Sequence, residues 1–187
     1  DKKLSYTELK KKVSEVDILI PCVSDTIDAS IIKSAKKLKL IANFGNGVDN
    51  LDLVTASEEN VIVTNTPDVL TEDTADLVLT LVLMISRKVV QAQKKISGGR
   101  WSGWGPSETM GERIRGKNFG IIGMGRIGKA VAKRLNILGV KIFYHNRNRL
   151  ENNEEKVLKA KYFENLDLMI THCDIISIHC PYTPETF

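Results

Sequence analysis

Cysteine is scarce in this chain of 187 residues: Cys22, Cys173 and Cys180 are the only three, and no two of them form a CxxC pair. That pattern excludes a disulfide framework and any zinc-finger spacing. It points to reduced thiols in a reducing, cytoplasmic compartment, with no metal site. Long apolar runs are also missing. The longest, residues 77–85, falls far short of the roughly 20 residues a membrane span requires, so no membrane partner is expected. No basic-then-apolar leader opens the chain, and its start at Asp1 rather than Met suggests that the native N-terminus lies upstream. Charge is not concentrated in one sign. The net charge of +4 is mild, and the small cluster Lys10, Lys11 and Lys12 reads as a solvated helix face rather than a nucleic-acid surface. With 42% hydrophobic and 27% charged residues and no repeat or low-complexity tract, the chain has the makings of one large soluble domain or parts of two.

What is present is a regular alternation. Residues 17–20 read as a buried strand ending at Pro21, residues 27–35 as a short helix, residues 39–42 as a strand, and residues 61–63 as a third strand closed by Asn65-Thr66-Pro67. A long helix is expected from a Thr71 cap to about Ser97, with Glu72 and Asp73 favourably placed in its first turn and Gly98-Gly99 ending it. Residues 77–85 are apolar around the whole helix, which predicts burial on every side. Residues 100–116, with Trp101, Trp104 and Pro106, read as a structured loop. Strands are then expected at 118–122, 141–144, 161–163 and 174–178, and helices at 126–138 and 166–171. Strands alternating with helices predict parallel sheets covered by helices, that is, an α/β fold. An open doubly wound sheet ordinarily has more strands than residues 118–178 supply, so the chain is expected to be a fragment.

The most informative segment is Gly123-Met124-Gly125-Arg126-Ile127-Gly128. GxGxxG alone is a weak signal, but here a β-rich run precedes it, a helical pattern follows, and another strand arrives at Lys141. In such a unit Gly123 allows the tight turn, Gly125 lets the backbone approach a pyrophosphate, and Gly128 permits close packing of helix on strand. The pyrophosphate would sit at a helix N-terminus, where free N–H groups and the helix dipole favour negative charge. About 20 residues on, NAD-binding units carry an acid that holds the ribose hydroxyls. Here the segment is Tyr144-His145-Asn146-Arg147, with no carboxylate. Asn146 is neutral, and Arg147 has the geometry to grip a 2′-phosphate, so NADP(H) is expected over NAD(H). The alternative is that Arg147 and Arg149 are solvated loop residues.

Several stretches together resemble the D-isomer-specific 2-hydroxyacid dehydrogenases, and most closely their glyoxylate/hydroxypyruvate reductase branch. They are residues 43–52 (Asn43-Phe44-Gly45-Asn46-Gly47-Val48-Asp49-Asn50-Leu51-Asp52), Thr64-Asn65-Thr66-Pro67, Thr74-Ala75-Asp76, residues 116–128, and residues 179–186 at the end. The resemblance implies a Rossmann-type doubly wound sheet over residues 68–187, including a linking helix, and a second, flavodoxin-like substrate domain over residues 1–67, both incomplete. It implies that Asn46 and Gly47 hold the substrate carboxylate, in keeping with the anion-binding nests that glycine turns make. Thr74 would lie near the nicotinamide. Met124, Gly125, Arg126 and Ile127 would line the pyrophosphate, and Cys180 and Pro181 would border the adenosine half. On the residues alone, Cys180 reads as a buried thiol without chemistry.

The family's catalytic arginine, acid and histidine are expected downstream of Phe187. His145 at the ribose turn, His172 after a short helix and His179 at a strand end are not candidates to replace that histidine. The implied activity is reversible hydride transfer between a nicotinamide and a small 2-oxoacid or D-2-hydroxyacid such as glyoxylate or hydroxypyruvate. The implied assembly is a homodimer built on residues 71–97 and 100–116, with burial between domains of one chain as the alternative. Two other readings remain open. One is an NAD-preferring branch of the phosphoglycerate or formate dehydrogenase kind, which the missing acid argues against. The other is a non-catalytic, corepressor-like nucleotide sensor, which no sequence feature requires.

Overall fold

The structure, a computed structural model, describes residues 4–105, 109–181, 183 and 186. Pro106 of the tryptophan-bearing loop, and Tyr182, Pro184 and Glu185 of the final motif, lie outside the described residues. The chain divides into two compact units, Asp1–Leu70 and Thr71–Phe187.

The first unit is a parallel sheet of order β1-β2-β3, made of β1 (Ile18–Leu19), β2 (Leu40–Ala42) and β3 (Ile62–Thr64). Helix α1 (Tyr6–Val13) precedes it and starts at a capping box in which Ser5 and Glu8 satisfy each other's backbone N–H groups. Helices α2 (Ala29–Ser34) and α3 (Leu53–Glu58) form the crossovers, each opened by an aspartate: Asp28 accepts from the Ile31 amide, and Asp52 from that of Thr55. Helix α3 is not announced by the sequence pattern. The expectation of a buried strand at residues 17–20 is corrected. The register aligns Ile18, Leu40 and Ile62 on one face and Leu19, Ile41 and Val63 on the other. The second face packs onto a core that includes Ile27, Ile31 and Ile32, whereas Ile18 is 55% and Ile62 65% exposed. An apolar run reads as burial on both faces, but among the described residues helices cover only one.

The second unit opens with α4 (Thr71–Ser86) and α5 (Val89–Ser97). Thr71 is the first helical residue rather than the cap, and the single long helix expected to run to Ser97 is two. Lys88 takes a left-handed conformation, φ 52°. The Ser86 carbonyl, which a continuing helix would use, accepts the Glu112 N–H at 2.7 Å. The returning chain comes so close that a Cβ at Gly111 would lie 2.3 Å from that carbonyl oxygen. Within this unit α4 is buried on one side only. Ala75 and Val82 are buried and Val78, Leu79 and Leu83 pack on the core, but Leu77, Leu81 and Ile85 are exposed.

The sheet of this unit is β4 (Asn118–Ile122), β5 (Lys141–His145), β6 (Ala160–Tyr162) and β7 (Ile175–Ile178), all parallel, in the order β6-β5-β4-β7. Helices α6 (Arg126–Ile137), α7 (Asn152–Leu158) and α8 (Leu166–His172) are the crossovers. Helix α7 is not announced by the sequence pattern. The order reverses direction between β4 and β7, and in open α/β sheets that switch point is where a ligand crevice forms, beyond the carboxyl ends of the strands. The core gathers Phe119, Ile121, Val131, Leu135, Ile142 and Tyr144. Arg134 on α6 ties α4 down, with Nε 2.6 Å from Asp76 and a terminal nitrogen 2.7 Å from Glu72.

Two local arrangements bear on the stability of this unit. A Cβ on Gly128 would sit 2.6 Å from the Gly123 carbonyl oxygen and 3.1 Å from Cγ2 of Ile121. Beneath α7, the buried Tyr144 hydroxyl donates to Glu155 at 2.6 Å and accepts the Leu150 N–H at 3.0 Å, while Arg149 forks onto Glu155 at 2.8 and 2.7 Å. The Arg149 guanidinium, followed by the Tyr144 hydroxyl, holds the Glu155 carboxyl down at about 2, and burial and the same carboxylate push the Tyr144 phenol up to about 12.

Gly128→Ala is expected to cost about 1–3 kcal/mol, because the obstacle is backbone that has little room to move; chemical denaturation measures it. For Glu155 the folded value lies below the ordinary 4.5, so its contribution is present above that pH and is lost as the pH falls toward about 2. Thermal melts against pH should therefore show a shallower acid limb for Glu155→Gln than for the parent, with a lower melting temperature at neutral pH.

Candidate functional site

Three loops converge at the carboxyl ends of β4, β5 and β7. The first is the glycine loop. Gly123 takes φ +96°, and a Cβ there would lie 2.6 Å from the Cys180 nitrogen. Backbone bonds fasten it on both sides: the Gly123 N–H donates to the His145 carbonyl at 3.0 Å, and the His179 N–H to the Ile122 carbonyl at 2.7 Å. Met124 is buried and its N–H donates to Oδ1 of Asn146 at 2.6 Å. Gly125 stands at the N-cap of α6 with no side-chain cap, and a Cβ there would meet nothing within 4 Å. The three glycines thus differ in kind. Gly123 and Gly128 are empty because protein fills the space, whereas Gly125 borders open space at a helix N-terminus. Arg126 and Ile127 form the first turn of that helix, whose leading N–H groups have no intrahelical acceptors. An anionic group fits there.

The second loop follows β5. His145 is half-buried, with Nδ1 3.0 Å from the Phe163 carbonyl. Asn146 is held by its side-chain oxygen, as above, and by its carbonyl, which accepts the Tyr162 hydroxyl at 3.2 Å. The two arginines separate cleanly. Arg149 is engaged by Glu155 and lies 5.5 Å from the Tyr162 ring centre, whereas Arg147 is exposed and has no partner among the described residues. Nothing in the sequence linked Glu155 or Tyr162 to this loop, because crossover spacing does not reveal which side chains meet.

The third loop follows β7 with His179, Cys180 and Pro181. His179 is half-buried, which lowers its basicity, and Nε2 lies 2.9 Å from the Ser177 hydroxyl. Cys180 touches the glycine loop through its backbone. All three cysteines are free thiols. The Cys173 thiol is pushed up by burial and fills the space beside Gly120, where a Cβ would be 2.8 Å from its sulfur. His172 ends α8 with Nδ1 2.8 Å from the Leu168 carbonyl, away from these loops in sequence and in bonding. Thr74 is partly buried in the first turn of α4, the segment that Arg134 fixes to α6 through Glu72 and Asp76.

Asn46 and Gly47 lie in the first unit, exposed, in the loop after β2. The carbonyls of Gly45, Asn46 and Gly47 accept, in turn, from the Thr66 N–H at 3.0 Å, Nδ2 of Asn65 at 2.8 Å and Nδ2 of Asn43 at 2.8 Å. Asn43 and Asn65 stand in motifs of the sequence without an assigned role, whereas Asn46 was expected at the substrate carboxylate. Among the described residues no group of His, Cys, Asp and Glu could hold a metal, and no helix is long and apolar enough to cross a membrane.

Comparison with known proteins agrees with this geometry. A glyoxylate reductase of Thermococcus litoralis is 41% identical over 183 residues, which are 96% of this chain and 55% of that protein. The crystal structure of the TT0316 protein from Thermus thermophilus superposes with a TM-score of 0.92 at 41% identity, covering 100% of this chain and 58% of that one. A Granulicella formate dehydrogenase superposes with a TM-score of 0.88 at 30% identity over 94% of this chain and 47% of its own. The chain thus spans about half the length of the curated relatives it matches. Residues 79–187 match the family described as D-isomer specific 2-hydroxyacid dehydrogenase, NAD binding domain. With that match extending over most of the second unit, and the glycine loop at its switch point, the chain belongs to the D-isomer specific 2-hydroxyacid dehydrogenase family.

Proposed function

We propose that the protein is an NADP(H)-dependent oxidoreductase that interconverts a small 2-oxoacid, such as glyoxylate or hydroxypyruvate, and the corresponding D-2-hydroxyacid. The bound nicotinamide supplies or accepts the hydride; the residues of this chain bind and orient. The α6 N-terminus, with Gly125 leaving the approach open and Met124, Arg126 and Ile127 around it, takes the pyrophosphate. Thr74 borders the nicotinamide end, and Cys180 and Pro181 the adenosine half. The Asn46 and Gly47 N–H groups take the carboxylate of the oxoacid. The similarity to a protein named glyoxylate reductase supports the substrate class.

One observation carries the cofactor preference. At the end of β5, where a carboxylate would accept a ribose hydroxyl, Asn146 has its oxygen committed to the Met124 N–H. Arg147 beside it is exposed and unpaired among the described residues. Residues 144–147 carry no acid to repel a 2′-phosphate, and the Arg147 fork of N–H donors stands there, while His145 fixes the strand end behind. We also read the exposed apolar residues Leu77, Leu81, Ile85 and Trp101, carried by α4 and the loop after α5, as the surface of a homodimer.

The complete gene product should reduce glyoxylate or hydroxypyruvate with a clear preference for NADPH. Arg147→Ala should lower kcat/KM with NADPH by about tenfold or more, equivalent to ~1.4 kcal/mol, and leave NADH almost untouched. Turnover that favours NADH in the parent would overturn the role given to Arg147. Gly125→Ala separates binding from folding: its melting temperature should match the parent's because the new methyl meets no protein atom, whereas its nucleotide affinity, measured by calorimetry, should fall.

A further inference from the structure

The loop after β2 is more heavily tied than its exposed position requires, and the ties follow a pattern. A trans peptide is planar, with its C=O and N–H pointing in opposite directions. Fixing the carbonyl of one residue therefore aims the N–H of the next. Here three consecutive carbonyls are fixed, those of Gly45, Asn46 and Gly47. The N–H groups that they aim belong to Asn46, Gly47 and Val48, and none of these has an acceptor among the described residues.

Side-chain amides hold two of the three carbonyls. Asn43 is 1% exposed. One hydrogen of its amide goes to the Gly47 carbonyl at 2.8 Å and the other toward Oδ1 of Asn50 at 3.2 Å. Asn50 answers with a 3.2 Å bond to Oδ1 of Asn43 and a 3.0 Å bond to the Asp25 carbonyl. The pair hangs from the sheet, since the Asn43 N–H donates to the Thr64 carbonyl at 2.8 Å at the ends of β2 and β3. Asn65, just beyond β3, reaches back to the Asn46 carbonyl at 2.8 Å. A side chain at Gly45 would displace Val23, because a Cβ would lie 2.0 Å from its Cγ1.

We propose that Asn43, Asn50 and Asn65 are positioning residues that pre-orient the Asn46, Gly47 and Val48 N–H groups as a cradle for the carboxylate of a 2-oxoacid. This rests on the reading that Asn46 and Gly47 receive the substrate. Amide side chains suit the task because they are neutral donors. They orient the peptides without placing a cation in the loop, so the cradle recognises the anion by direction rather than by net charge. A cradle set in advance loses no ordering entropy when the carboxylate arrives.

Asn65 is the residue to test, since it is exposed and its replacement leaves the core intact. In the complete gene product, Asn65→Ala should raise KM for glyoxylate and Ki for oxalate about tenfold, with kcat and the cofactor KM changed less than about twofold. Asn65→Gln, which keeps a donor, should recover part of the loss. An unchanged KM and Ki in Asn65→Ala would overturn the proposal while leaving the oxidoreductase reading intact. If the parent reduces no 2-oxoacid, that reading fails and an oxalate titration followed by amide NMR decides this one. Shifts at the Asn46, Gly47 and Val48 N–H signals that weaken in Asn65→Ala would support the cradle, and their absence in the parent would overturn it.

Discussion

The approach of the Gly123 peptide to the chain at His179 and Cys180 leaves no space for a side chain, and the second unit is arranged around that contact. It joins the loops after β4 and β7 on either side of the switch point. It also draws the loop after β5 in, because the Gly123 N–H bonds to the His145 carbonyl. Gly128 repeats the constraint one turn later, letting α6 settle against the Gly123 carbonyl. With those two positions packed, the N-terminus of α6 stays open above Gly125. The site is thus defined by where protein is dense as much as by where it is open.

Neutral amides set the detail. Asn146 orients the Met124 peptide in the second unit, and Asn43 and Asn65 orient the peptides of residues 46–48 in the first. In both places a side-chain amide fixes the backbone beside the N–H groups to which the proposed function assigns an anion. Cations take a smaller part. Arg134 is engaged by Glu72 and Asp76, Lys117 by Glu112 and Asp174, and Arg149 by Glu155. A mild net charge is compatible with anion binding of this kind, because direction and desolvation supply what bulk charge would otherwise have to.

The parallel α/β layout was legible in the sequence because strands flanked by glycine, proline and amphipathic helices leave a periodic trace. The glycine loop was legible for a different reason: each of its glycines has its own steric or ligand-facing cause, and the spacing of those causes is fixed by the strand-turn-helix geometry. Helices α3 and α7 left weaker traces. Each is at most seven residues long, and each buries few side chains, Thr55 and Ala56 in one and Leu158 in the other. The break at Lys88 could not be read locally, because its cause is the Glu112 N–H arriving from far along the chain to take the Ser86 carbonyl. Burial within the unit was overestimated at Ile18, Leu77, Leu81 and Ile85 for one reason: apolar character reports what a residue can bury, and not which surface covers it.

The separation of Arg147 from Arg149 shows how a structure refines a charge pattern that sequence alone leaves ambiguous. Two residues apart in one loop, they look equivalent in sequence. Glu155 on α7 removes the equivalence by forking onto Arg149, and Tyr144 and Tyr162 complete its surroundings from the sheet. Engaging Arg149 does more than neutralise it. With the Leu150 N–H bound by the Tyr144 hydroxyl and the Asn146 carbonyl by the Tyr162 hydroxyl, the loop is anchored on both sides of Arg147. A long side chain on a fixed base samples less space than one on a loose loop, so less entropy is lost when it meets a phosphate. If Arg147 meets a 2′-phosphate as proposed, the buried tyrosine, the carboxylate and the second arginine bear on cofactor choice without touching the cofactor, by deciding which arginine is left free and how firmly it is held.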